Sequence, residues 1–170
     1  MFTLYLAQSL DGFIAGPNDE TPWSEKEWEL FKHEVSKHNA LIIGRKTFEI
    51  MIKGNEFSYI EVPYIFVLSN TAESVEKLST KLDPRFHAQA FNEVSHLPQN
   101  LNYIIAGGAK TAEYFLERKL IDQLVLDIEF LFLGNGIKVD WRKLKGLELK
   151  HEKTIDYASY GVQMRFRVNN

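Results

Sequence analysis

The sequence predicts an α/β fold: a mainly parallel sheet that closes in an antiparallel hairpin. Three observations carry this. Apolar runs of strand length alternate with helix-period segments along most of the chain, the pattern of βα units laid side by side. Two strand-like stretches, 147–155 and 162–168, then face each other across 156–161, which is how an antiparallel pair is joined. Finally, three apolar runs pass directly into polar or glycine turns able to open a helix. These are 40–43 into Gly44-Arg45-Lys46-Thr47, 64–68 into Ser69-Asn70, and 103–106 into Gly107-Gly108-Ala109-Lys110-Thr111.

Each element has its own signal. Residues 2–7 are β-branched, aromatic or aliphatic with no breaker, and read as the first strand. Asp11-Gly12 and Gly16-Pro17-Asn18 punctuate the following loop. Ser24 is placed to cap a helix and Glu27 to complete a capping box, after which Trp28, Phe31 and Val35 recur at helical spacing towards His38. A short helix is expected over 47–52, stopped by Gly54-Asn55. The stretch 71–82 matches neither period. Residues 85–91 read as a strand, 109–118 as a helix with Ala112, Phe115 and Leu116 on one face, and 124–132 as a long strand ended by Gly134-Asn135-Gly136.

Composition removes several classes of function. At 170 residues and 45% hydrophobic content, the chain has material for one domain, 1–170, with a real core. Twenty basic against 23 acidic residues leave a net charge of −3, no footprint for nucleic acid. The absence of cysteine excludes disulfides, thiolate catalysis and Cys-ligated metals. The five histidines are scattered, and none forms H-x-H or H-x-x-x-H, so no metal site is expected. No apolar run approaches the ~18 residues of a membrane span, and no basic leader precedes one. A cytoplasmic protein without membrane partners is the expectation.

Ligands of open α/β sheets collect where strands end and helices begin, because helix N-termini present free N–H groups and a positive dipole end. Two of the three junctions carry Lys or Arg, and one carries paired glycines that let backbone approach a phosphate closely. A dinucleotide fits that combination. Two familiar phosphate motifs are nevertheless missing. Asn39 stands where a P-loop ending at Gly44 needs its upstream glycine, and Ala106-Gly107-Gly108 does not make G-x-G-x-x-G.

Six stretches in order carry a resemblance: 6–16 (Leu-Ala-Gln-Ser-Leu-Asp-Gly-Phe-Ile-Ala-Gly), 43–49 (Ile-Gly-Arg-Lys-Thr-Phe-Glu), 67–70 (Val-Leu-Ser-Asn), 105–109 (Ile-Ala-Gly-Gly-Ala), 120–124 (Leu-Ile-Asp-Gln-Leu) and 133–136 (Leu-Gly-Asn-Gly). Together they resemble the three-layer α/β/α dihydrofolate reductase-like fold. The Ser-Leu-Asp-Gly loop and Leu-Gly-x-Gly turn favour its branch shared with the reductase domain of bifunctional riboflavin-biosynthesis enzymes. The resemblance implies NADPH as cofactor. Gly44, Arg45, Lys46 and Thr47 match the phosphate turn, the basic pair suiting a 2′-phosphate. Ser69 and Asn70 match the loop beside the adenosine. Gly107, Gly108, Ala109 and Lys110 match the pyrophosphate turn, and Ala7 and Ile14 the backbone that brackets the nicotinamide carboxamide.

On the substrate side, reduction of C=N or C=O needs a proton for the heteroatom. Dihydrofolate reductases place an acid on the first helix four residues before a Phe, and Glu27 stands so before Phe31, with Pro22-Trp23 preceding. Two readings of Glu27 stand, substrate acid or capping-box residue. Glu29 and Glu34 read as helix-surface charges. Asp127 alternates with Leu126 and Ile128 on a strand expected to be buried on both faces, where an unpartnered carboxylate is costly; it either shapes the pocket or lies at a dimer surface. The resemblance implies an NADPH-dependent reductase of a small nitrogen heterocycle, similar to the 5-amino-6-(5-phosphoribosylamino)uracil reductase of riboflavin biosynthesis. It also implies a homodimer, for which Phe130, Phe132 and Trp141 offer an apolar surface. No deaminase domain accompanies the sequence, so the chemistry is the firmer expectation and the pathway the weaker. A non-catalytic nucleotide-binding protein and a true dihydrofolate reductase are the alternatives.

Overall fold

The computed structural model describes residues 1–71 and 83–169; most of 71–82, the stretch that matches neither period, lies outside them. Eight strands form one sheet: β1 (Phe2–Ser9), β2 (Ala40–Gly44), β3 (Tyr64–Ser69), β4 (Phe86–Ala90), β5 (Tyr103–Ala106), β6 (Gln123–Glu129), β7 (Glu148–Asp156) and β8 (Gly161–Asn169). Their order across the sheet is β4-β3-β2-β5-β1-β6-β8-β7. The described α-helices are α1 (Glu25–Val35), α2 (Arg45–Lys53) and α3 (Ala109–Glu117).

Six strands run parallel, β1 to β6, and β8 pairs antiparallel with both β6 and β7. The inner strand of the hairpin is therefore the reversed one, and the edge strand β7 runs with the rest. β7 is exposed along nearly its whole length and rich in charge, which protects an open edge from pairing with another chain.

Side-chain alternation divides the core in two. Leu4, Leu6, Ile42, Phe66, Leu68 and Ile105 face one way and pack with Phe115 and Leu116 of α3. Tyr5, Leu41, Ile43, Val67, Ile104 and Val125 face the other way and pack with Phe31 and Val35 of α1 and Phe48 and Met51 of α2. Helices cover both faces, as a parallel sheet requires.

The chain moves outward from β1 through β2, β3 and β4, then returns to insert β5 between β2 and β1. That reversal opens a crevice at the carboxyl ends of β1, β2 and β5, the place where such sheets bind ligands. The loop after β1 borders it and is pinned by the segment that follows the neighbouring strand β6. Asp11 accepts from the Leu133 and Gly134 N–H groups at 3.1 and 2.7 Å and from the Ser9 hydroxyl at 2.6 Å. These donors hold its carboxyl down at about 2, the Ser9 hydroxyl foremost. Ile14 and Ile137 complete the clasp through backbone bonds of 2.8 Å.

Among the boundaries that differ from expectation, two shape the site. α2 begins at Arg45, immediately after β2, rather than at residue 47. β6 stops at Glu129, because Leu131 N–H turns back onto the Glu129 carbonyl at 2.8 Å and Leu10 N–H takes the Leu131 carbonyl at 2.9 Å. Phe130 and Phe132 consequently leave the strand and are exposed.

Gly136 has φ +150°, and a Cβ there would strike the Ala15 carbonyl. Gly136→Ala should destabilise the protein by about 1–3 kcal/mol. Urea denaturation measures this, and an unchanged midpoint contradicts the clasp as described.

Candidate active site

The cleft holds about 500 Å³ and is lined from every element that the sheet reversal brings together. Its floor is Tyr5, Leu6 and Ala7 of β1 and Ala106, Gly107 and Gly108 after β5. One wall is Trp23, Glu27, Trp28 and Phe31 on and before α1; another is Lys46, Thr47, Ile50 and Met51 of α2, with Tyr59 beyond it. Ile14, Ala15 and Ile137 close the side held by the clasp.

The two helices that open onto the cleft have bare N-termini. Gly44 caps α2 and Gly108 caps α3, neither with a side-chain hydrogen bond, so their first N–H groups lack a side-chain acceptor. Gly107 and Gly108 have φ +96° and +74°, and a Cβ on Gly107 would come within 2.6 Å of Thr47 Cγ2. The turn is thus built close against α2 and leaves no space for a side chain at Gly107. Lys46 points at the cleft with its Nζ 2.8 Å from Asp19 Oδ1, while Arg45 pairs with Glu49 at 2.9 Å. Both pairs are largely exposed and therefore weak, and an incoming phosphate can replace either acid.

Of the residues singled out in the sequence, Ala7, Ile14, Glu27, Lys46, Thr47, Gly107 and Gly108 line the cleft. Gly44, Ala109 and Lys110 adjoin it at the two helix starts. Ser69 and Asn70 lie at the end of β3, beside Gly44 across the sheet, with the buried Ser69 hydroxyl 3.2 Å from that of Thr71. Arg45, the first residue of α2 beside Lys46, does not itself line the cleft.

Glu27 is the buried acid of the cleft wall. Ser24 caps α1, its Oγ accepting the Glu27 N–H at 3.1 Å, but the return half of the capping box is not made. Glu27 instead turns inward, 5% exposed, and its Oε1 accepts from the Tyr5 hydroxyl at 2.9 Å. Ser24 N–H goes to Glu129 at 3.1 Å. The same Tyr5 hydroxyl reaches Asp127 Oδ2. Asp127 lies fully buried directly behind the cleft, opposite Ala7 on β1 and Gln163 on β8. Glu129, two residues further on the same face, is satisfied by Ser24 N–H, the Ser24 hydroxyl at 2.9 Å and the Tyr157 hydroxyl at 3.1 Å.

Burial, and then the charge of Asp127, raise the Glu27 carboxyl from 4.5 to about 8. Burial likewise raises Asp127 from 3.8 to about 7. No Lys, Arg or His among the described residues pairs with either acid. At neutral pH this corner holds a proton in reserve beside an apolar, aromatic wall.

Glu34 corrects the sequence reading of a surface charge. It is 2% exposed and bridges Arg165 at 2.6 Å and Lys37 at 2.9 Å. Sequence reasoning also passed over Tyr5, Glu129 and Tyr157. The parity of Asp127 and Glu129 along one strand was the available signal, since two acids on one buried face must be served by donors. Which donors serve them depends on strand register, which the sequence does not display.

The sheet order, the crevice at the reversal and the acid on the first helix define a protein of the dihydrofolate reductase-like class. The chain belongs to the RibD C-terminal domain family, which matches residues 1–158. It is 25% identical over 180 residues to the uncharacterized protein YyaP of Bacillus subtilis, spanning 98% of this chain and 94% of that one. To YwjB of the same organism, also uncharacterized, it is 29% identical, over 79% of each chain. A putative riboflavin biosynthesis protein from Shewanella superposes with TM-score 0.76 at 20% identity, covering 99% of both chains. The deaminase/5-amino-6-(5-phosphoribosylamino)uracil reductase of Thermotoga maritima gives the same TM-score at 16% identity, over 98% of this chain and 56% of that one. Enterococcus faecalis dihydrofolate reductase complexed with NADP(H) gives 0.69 at 16% identity, covering 100% and 97%. At these identities the likeness establishes the fold.

The raised carboxyls make stability depend on pH in a defined direction. A folded state that binds its protons more tightly than the unfolded chain is favoured below the unfolded values and loses that advantage as pH rises through 4.5 towards about 8. His38, whose burial lowers it from 6.5, acts oppositely but only below that value. The melting temperature should therefore fall from about pH 6.5 to about pH 8.5, and Glu27→Gln should flatten the fall. A wild-type curve flat over this window contradicts the assigned burial of charge.

Proposed function

We propose that this chain is an NADPH-dependent reductase of a small planar nitrogen heterocycle of the pyrimidine or pterin type. The observation that carries the reading is Glu27, a buried carboxyl on the wall of a cleft between two uncapped helix N-termini, raised by burial to about 8.

The cofactor is supported by the cradle. The Gly107–Gly108 turn, which a side chain would obstruct, and the free N–H groups at the start of α3 suit a pyrophosphate. Lys46 and Arg45, releasing Asp19 and Glu49, suit a 2′-phosphate. Ala7 and Ile14, on opposite sides of the cleft, suit the nicotinamide end. NADPH, when bound, supplies the hydride.

The chain's own residues supply the rest. Trp23, Trp28, Phe31 and Tyr59 offer flat apolar surfaces against which a heterocycle stacks. Phe31 is itself held between Tyr5 and Trp28, with ring centroids at 5.1 and 5.4 Å. Glu27 delivers a proton to the ring nitrogen or carbonyl oxygen as the adjacent carbon is reduced, and the enclosing side chains exclude water that would otherwise level its acidity. A 5-amino-6-(5-phosphoribosylamino)uracil reductase and a dihydrofolate reductase are among the structural neighbours, and the compounds they are named for carry rings of this kind.

Two measurements test the proposal. Isothermal titration should show NADPH binding more tightly than NADH, with Lys46→Ala removing about 1.5–3 kcal/mol of that preference. Equal affinities for the two cofactors contradict the phosphate assignment. With a panel of oxidised pterins and aminopyrimidines, Glu27→Gln should slow NADPH oxidation by about 10²–10⁴-fold while leaving NADPH affinity intact. An undiminished rate removes Glu27 from the chemistry.

A further inference from the structure

The Tyr5 hydroxyl touches two carboxyl oxygens, Glu27 Oε1 and Asp127 Oδ2, yet carries a single hydrogen. It can donate to one of them only. The other contact is then a repulsion between lone pairs unless that carboxyl is itself protonated and donates to the tyrosine oxygen. We propose that Glu27, Tyr5 and Asp127 form a proton relay in which Asp127 is the store that reloads Glu27 through the Tyr5 hydroxyl. The destination of the proton rests on the reductase reading above; the sharing of it between the acids does not.

The surroundings confine the proton to this path. Asp127 is fully buried, so its contact with the cleft runs through the tyrosine. Its second oxygen, Oδ1, has no hydrogen-bond partner among the described residues. From β6, Glu129 faces the same space but is occupied by Ser24 and Tyr157. From β8, the neutral Gln163 lies opposite Asp127, and Arg165, opposite Val125, is engaged by Glu34 of α1. The Arg165 charge is thus committed to another acid.

The relay has two arrangements with the same number of protons. In one, Asp127 is the acid; it donates to the Tyr5 oxygen, and Tyr5 donates to the Glu27 carboxylate. In the other, the Tyr5 hydrogen has passed to Glu27 while the Asp127 hydrogen has passed to Tyr5, leaving Asp127 ionised. The O–H bond of Asp127 breaks as that of Glu27 forms, and the tyrosine is unchanged. When both acids are protonated before reduction, Glu27 gives its proton to the substrate heteroatom and the hydride goes to the neighbouring carbon; this leaves the first arrangement, and the shift through Tyr5 makes Glu27 an acid again. Between turnovers a proton enters from the cleft at Glu27, and the reverse shift through Tyr5 restores Asp127. Tyr5 and Asp127 act through Glu27 and need not touch substrate.

Carbon-13 NMR of the free, full-length protein with labelled Asp and Glu carboxyls, titrated from about pH 4 to about pH 10, tests the sharing without cofactor or substrate. Both carboxyls should titrate well above the ordinary carboxylate range. Asp127→Asn should lower the Glu27 midpoint by about one unit or more, because a neighbouring charge is gone. Tyr5→Phe keeps the ring on Phe31 and removes one hydroxyl; it should raise both midpoints together, since that hydroxyl serves both acids. Movement of only one midpoint, or of neither, overturns the relay. If the protein turns over NADPH, the rate in mixed light and heavy water should follow a curved dependence in wild type and a straight one in Tyr5→Phe, with kcat down about ten- to hundredfold and KM unchanged. A straight wild-type dependence also overturns it. Coupled titrations with no turnover of any heterocycle would refute the proposed function while leaving the shared proton standing.

Discussion

One hydroxyl hydrogen between two buried carboxyls is the constraint on which the site depends. Tyr5 is on the central strand, Glu27 on the helix above it and Asp127 on the neighbouring strand. Their meeting fixes the height and rotation of α1 over the sheet. The neighbouring contacts repeat the theme: Ser24 and Tyr157 converge on Glu129, and Arg165 on Glu34. Each acid on the inner side of α1 or on β6 is answered by a donor from another element. Glu27 and Asp127 are the pair answered by too few donors, and they are the pair at the cleft. A polar group left under-served in a core costs free energy, and such a cost concentrated at the edge of a cavity is the expected mark of a working site.

The topology explains why the phosphate cradle and the acid are neighbours although Glu27 and Gly107 are far apart in sequence. Inserting β5 between β2 and β1 places the Gly107–Gly108 turn beside the end of β1 and draws α2 close enough for Thr47 to fill the space above Gly107. The clasp from Asp11 to Leu133 and Gly134 performs the same service on the other side, tying the loop after β1 to the turn after β6. The cleft is therefore bounded by rigid elements on three sides.

Much of this was legible in the sequence, for identifiable reasons. The inner strands β2, β3 and β5 are nearly continuous apolar runs because both their faces are covered, and such runs stand out. The glycine turn and the Asp-Gly loop were legible because few other residues tolerate their backbone. What stayed hidden depended on pairing. Tyr5 looks like any aromatic of a buried strand until the register sets it diagonally across from Asp127. Glu27 sits three residues after a capping serine, and local rules assign it to the cap; tertiary burial sent it to Tyr5 instead. Glu34 reads as a surface charge because its partner, Arg165, lies on the distant last strand. The end of β6 was overrun for a similar reason, since Phe130 and Phe132 continue the strand pattern while the Tyr160 carbonyl takes the Phe130 N–H and the Leu10 N–H takes the Leu131 carbonyl.

The central claim is that a proton resides between Glu27 and Asp127 at neutral pH, next to a cleft shaped for a reducible ring. Neutron diffraction from a deuterated crystal at about pH 7 observes it directly. The account predicts deuterium on Tyr5 and on one oxygen of Glu27 or Asp127, lying on the line to the tyrosine oxygen. Deuterium on Tyr5 alone, with both carboxyls bare, would contradict it.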